Sequence, residues 1–136
     1  MAEKDSNRSN TTLKKLTLLL NCTKTARNEV DISKVQSVEV SGCGIIEANG
    51  TYVKTGMRDG APEFMRLGKW EEKVVHFFLS YSFTNEWSIY AYTGELAREL
   101  YYCRVEGDGD IGPFNKAWKL YFGVAPPPKL EAKEFL

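Results

Sequence analysis

From Val35 onward, apolar and polar residues alternate with a period near two, and the runs are broken by glycine, asparagine or aspartate about every ten residues. In "VQSVEVSG", Val38 and Val40 share one side of such a run. "KVVHFFLSYS" carries Val75, Phe77, Leu79 and Tyr81 on one side and Val74, His76 and Phe78 on the other; the first set predicts the core face. "EWSIYAY" aligns Trp87, Ile89 and Ala91, and "KAWKLYF" aligns Trp118, Leu120 and Phe122. Further strands are expected over 51–55, 62–67, 73–82, 86–92, 99–105 and 117–122. In "TGELARELYY", Leu96 and Leu100 are four apart, so a turn of helix competes there. No other interval is long enough for a crossover helix, which disfavours parallel β-α-β units. The expected fold is all-β, a mostly antiparallel meander forming a small sandwich or barrel.

Turn chemistry agrees with that reading. In "VSGCGIIEANGTYVKTGMRDGAPEFMRLG", Asn49-Gly50 and Asp59-Gly60 are tight-turn dipeptides, because both residues of each pair tolerate positive φ. Both are expected to be hairpin connections.

The ends do not fit a compact sheet. "MAEKDSNRSN" is polar, and "TTLKKLTLLLNC" is ambiguous: Leu13, Leu16 and Leu20 suit a helical face, whereas Leu16, Leu18 and Leu20 suit a strand face. A short strand or docking arm is the favoured reading. "GVAPPPKLEAKEFL" opens with three prolines that favour extended backbone and closes on Phe135-Leu136. The expected organisation is a leader and docking arm over 1–34, a β-module over 35–124 and a Pro-rich C-terminal tail over 125–136.

At 136 residues the chain suits one domain with one core. Eighteen Lys and Arg balance eighteen Asp and Glu, so no net charge draws it to nucleic acid or to an anionic membrane. "LTLLL" is too short to span a bilayer or to act as a secretory core, and the leader lacks transit-peptide character. A cytoplasmic or organelle-matrix protein, not a secreted one, is expected. The sequons at Asn7, Asn10, Asn21 and Asn49 are then idle, and Cys22, Cys43 and Cys103 read as reduced thiols.

Candidate chemistry is sparse. Gly42-Cys43-Gly44 lacks the third glycine and the helix of a dinucleotide loop. In "GDGDIG", counting from Asp108 puts Gly112 and Lys119 where calcium ligands belong. His76 sits inside an apolar strand with no spacing that pairs it with Cys43 or Cys103, and neither zinc spacing nor a placed carboxylate pair among Glu63, Glu71, Glu72 and Glu86 is present. Arg66, Lys69, Lys73, Arg98 and Arg104 are interspersed with acids, which disfavours a nucleic-acid track. Tyr81, Trp87, Tyr90, Tyr92, Tyr101, Tyr102, Trp118 and Tyr121 exceed what one core must hold, so some are expected on a binding face.

The succession "GCGIIEANGTYVKTGMRDGAPEFMRLG", "EWSIYAY", "YYCR" and "KAWKLYFGVAPPPKL" resembles a β-rich module of large intracellular proteins of protists and algae. In that module G-x-G, N-G-x-Y, G-x-P-x-aromatic, W-x-I and a closing Trp before a Pro-rich end recur. The resemblance covers about Val38 to Leu130, implies a β fold and a noncatalytic role, and carries over no functional residue, since the module has no settled activity.

The function expected is a noncatalytic protein-binding β-module, an accessory or structural subunit of a larger assembly, with no catalytic, cofactor or metal residues. The alternative is a small-ligand or carbohydrate-binding domain using exposed aromatics. Partner-binding residues are expected at Leu16, Leu18, Leu20, Tyr90, Tyr92, Pro126, Pro127, Pro128, Phe135 and Leu136.

Overall fold

The structure, a computed structural model, describes residues 30–105 and 112–135. A 3-10 turn over Ile32–Lys34, capped by the Asp31 side chain, leads into β1 (Val35–Ser41). The meander continues as β2 (Gly50–Arg58), β3 (Ala61–Trp70), β4 (Lys73–Ser82), β5 (Glu86–Tyr92), β6 (Ala97–Arg104) and the short β7 (Lys119–Leu120). The chain then returns across the sheet, and β8 (Lys129–Phe135) pairs with β1. The result is one antiparallel sheet in the order β7-β6-β5-β4-β3-β2-β1-β8, curled into a half barrel.

Among the described residues no second layer covers the apolar face of this sheet, and the sheet wraps around that face. Cross-strand register aligns Phe64, Leu79, Ile89 and Tyr101 over four strands, all fully buried. Parallel rows add Phe77 and Ala91, then Trp87 and Cys103; Val38, Val40 and Tyr52 extend the core onto β1 and β2. The alternation read in the sequence therefore puts Val75, Phe77, Leu79, Trp87, Ile89 and Ala91 inside. The segment expected as a competing helical turn is strand, because Tyr101 and Cys103 of β6 are drawn into those rows.

Two connections cover the concave face. The loop 42–49 contributes Cys43, Ile45 and Ala48 to the core; Asn49 Oδ1 accepts from the Cys43 N–H at 2.9 Å, and Tyr52 Oη donates to Ala48 O at 2.6 Å. The strap 121–128 runs from β7 to β8. Tyr121 and Gly123 N–H both donate to Leu100 O at 2.9 Å, Phe122 N–H donates to Glu99 O at 3.1 Å, and Gly44 N–H donates to Pro126 O at 2.9 Å. Leu100 is the extra residue of a bulge, since β5 opposes Ile89 to Tyr101 and Tyr90 to Glu99.

Three expectations from the sequence are corrected, and one stands beside them. Asn49-Gly50 is not a two-residue hairpin: Asn49 is extended at φ −76°, and Gly50, at +136°, opens β2 where a side chain would strike Arg66. Asp59-Gly60, with φ of 51° and 84°, is the tight turn expected. The strand expected over 117–122 shrinks to Lys119–Leu120, because the chain turns inward to form the strap; Phe122 is exposed while Trp118 is buried. The module does not stop at 124: Lys129–Phe135 is a sheet strand rather than a free tail, since its backbone completes the otherwise open edge of β1.

The β3–β4 turn is made by Glu71 and Glu72 with φ of 54° and 65°, a left-handed pair with neither glycine nor asparagine. The double change Glu71→Asn with Glu72→Gly should raise the unfolding free energy by about 1 kcal/mol. Denaturant midpoints test this, and an unchanged or lower midpoint would show an unstrained turn.

Candidate interaction surface

The concave face is filled, so the question is what the remaining surfaces present. On the convex face, register aligns Val53, Met65, Phe78 and Tyr90 in one row and Leu67, His76 and Tyr92 in the next. Phe78 contacts Tyr90 at 5.8 Å and stacks with His76 at 6.2 Å between ring centroids. Val53, Leu67, Val74 and Tyr92 are exposed there. A polar row borders the band: Ser80 donates to Glu63 at 2.8 Å, and Ser88 donates to Glu99 at 2.6 Å. Glu63 also pairs with Arg58.

The strap presents a second apolar cluster. Tyr121 and Phe122 are 62% and 61% exposed and meet edge to face at 4.8 Å; Val124 is 58% exposed, and Ile46 on the adjoining loop is 74% exposed. This exposure is imposed by the backbone. The N–H groups of 121, 122 and 123 are all spent inward on β6, and Gly123 lies so close under the Tyr101 ring that a β-carbon could not fit. Tyr101 Oη completes the anchorage, donating to Val124 O at 2.8 Å and accepting from Ile45 N–H at 3.1 Å. The large side chains have no inward position left.

A scan of protein-family models, a search of curated proteins and a search of solved structures found no match to this chain. The surface must therefore be read from its own geometry.

Of the residues expected to bind a partner, Tyr90 and Tyr92 lie on the convex band. Pro126 and Pro127 are exposed on the strap, Pro128 is buried, and Phe135 is exposed at the end of β8. Leu16, Leu18, Leu20 and Leu136 lie outside the described residues. Of Tyr121, Phe122, Val124 and Ile46, only Tyr121 stood among the aromatics from which a binding face was expected, and none was named as a partner-binding residue. The signal for the first three was "LYFGVAPPP" itself, which loses the apolar–polar alternation that a half-buried strand keeps.

The groups weighed for chemistry stand apart. His76 is on the convex face, whereas Cys103, opposite Trp87, is on the concave face; Cys43 lies in the covering loop. Among the described residues no cluster of three or more His, Cys, Asp and Glu gathers, and no helix is long and apolar enough to cross a membrane. Glu71 and Glu72 form the turn, and Glu86 pairs with Arg104 at 3.3 Å.

Burial pushes the Cys43 thiol from its ordinary 9.0 up to about 12, and burial also raises the phenols of Tyr52 and Tyr101. A folded pKa above the unfolded one means stability intact below pH 9 and lost as pH climbs towards about 12, because only the unfolded chain sheds the proton easily. Denaturant midpoints should fall across that window, and Cys43→Ala should flatten part of the fall. A midpoint independent of pH up to 11 would place the thiol in water.

Removing the Tyr101 hydroxyl should also cost about 1–3 kcal/mol, since Tyr101→Phe leaves the Ile45 N–H and the Val124 carbonyl short of a partner. An unfolding midpoint equal to wild type would show that water replaces the phenol.

Proposed function

We propose that this chain is a noncatalytic protein-binding β-module, an accessory subunit that docks on a larger assembly through the strap. The observation that carries the reading is the outward pair Tyr121 and Phe122, held on backbone whose hydrogen bonds are already made. Aromatic anchors dominate binding energy at protein interfaces, and a pre-ordered backbone reduces the ordering entropy lost on association. Val124 and Ile46 widen the cluster with aliphatic surface. Such a projection fits an apolar pocket on a partner better than it fits a small solute, which needs a concavity.

The double variant Tyr121→Ser with Phe122→Ser separates docking from folding, because both rings are mostly in solvent. Immobilised wild-type protein should retain a defined partner chain from native extract. The variant should unfold at the same temperature yet lose that chain, with a binding cost of about 2 kcal/mol or more. Equal retention by both forms would sink the reading, as would early unfolding of the variant.

A further inference from the structure

The two edges of the half barrel do not meet. Beside β8 runs a cleft of about 470 Å³, with Lys129, Leu130 and Glu131 on one wall and Pro113, Lys116 and Trp118, from the segment that precedes β7, on the other. That volume lies within the range of sites that take small ligands or short peptide stretches. Trp118 and Pro113 are buried and joined, Trp118 Nε1 donating to Pro113 O at 3.2 Å, so the second wall is a built surface. It is not a strand, and among the described residues β7 pairs only with Tyr101 and Tyr102 of β6.

Among the described residues this leaves β8 as an edge strand of seven residues, bonded to β1 on one side only. In an antiparallel ladder, alternate residues turn their N–H and C=O away from the neighbour, so β8 offers a row of donors and acceptors toward the cleft. Its side chains carry a pattern: Lys129 and Glu131 share one face and Leu130 and Ala132 the other, while Lys133, exposed like the first pair, is the residue that a bulge leaves unpaired with β1. Directly opposed unlike charges favour strand pairing and like charges oppose it.

We infer that the β8 edge binds an extended peptide as an added strand, and that the peptide's chemistry is acid–apolar–base–apolar–acid. Acids would face Lys129 and Lys133, a base would face Glu131, and the apolar residues would fall beside Leu130 and Ala132. The pattern reads the same in both directions, so charge selects register rather than polarity. A second copy of β8 is the weaker occupant. It has charge complementarity in the register that sets Glu131 against Lys133, but a whole second sheet would have to enter a cleft already walled by Pro113 and Trp118.

The probe is the synthetic pentapeptide Glu-Val-Lys-Val-Glu with blocked ends, and the control is Lys-Val-Glu-Val-Lys. Titrated into isotope-labelled protein, the first should shift and protect the amides of Lys129 to Lys133 and shift the Trp118 indole resonance. The control should bind about tenfold more weakly or worse. Exchanging the charges of the edge by Lys129→Glu, Glu131→Lys and Lys133→Glu should reverse that preference, and dispersed amide spectra would confirm that this variant is folded. The inference is overturned by equal response to both peptides, by shifts confined to other strands, by no response at millimolar probe, or by a dimer paired through β8. The strap variant should bind the probe as wild type does, so the edge and the strap stand or fall separately.

Discussion

The phenol of Tyr101 holds this structure closed. A lone sheet can bury one face only by curling, and a curled sheet still needs its open side covered by chain whose own polar groups are satisfied. From the middle of β6, Tyr101 reaches both covers with one oxygen, accepting from Ile45 in the first and donating to Val124 in the second. The ring beneath fixes where the strap can lie, and Gly123 is the residue that permits so close an approach. Without that bridge the Ile45 amide and the Val124 carbonyl would face an apolar interior with one bond fewer each. The positions of the loop, the strap and the return of β8 all follow from this link.

The central strands were legible because each is half buried, and half burial writes a period of two into the sequence. β4 and β5 lie where the alternation of "KVVHFFLSYS" and "EWSIYAY" places them. The Asp59-Gly60 turn was legible for the same local reason. What could not be read depended on contacts far along the chain. Asn49-Gly50 carries the same local signal as a hairpin, but Asn49 is used to close the loop on Cys43, and Gly50 makes room for Arg66, whose guanidinium bonds Glu47 O at 2.7 Å and lies over Phe77. Lys129–Phe135 looks like a charged tail in isolation and becomes a strand because β1 has an edge to fill. The convex placement of Tyr90 and Tyr92 was legible by alternation, whereas the loss of alternation in "LYFGVAPPP" marks only where the strand ends, and the bulge and glycine contact that turn Tyr121 and Phe122 outward are set by distant residues.

The two faces of the sheet divide the chemistry of the chain. Cys43, Cys103 and the largest core aromatics, Trp87, Tyr52 and Tyr101, sit where water is excluded, and His76 sits on the other face. A proton could not pass directly between them without crossing the sheet. The convex side instead pairs two carboxylates, Glu63 and Glu99, with serine hydroxyls, which keeps both ordered beside an apolar band. Order of that kind serves recognition, where side chains fixed in advance lose little freedom when a partner arrives.

The return of β8 to β1 also sets a sequence of events in time. Val40 pairs with Leu130, so the contact that completes the sheet joins residues about ninety positions apart and carries the largest loop-closure entropy in the fold. A ribosome releases β1 through β6 long before β8, and the hairpins among them can form as they emerge. Through that interval the outer edge of β1 stays unsatisfied, with Val38 and Val40 beside it. The nascent chain is therefore adhesive along the outer edge of β1 until β8 arrives, and β8 acts as a chaperone carried within the chain itself.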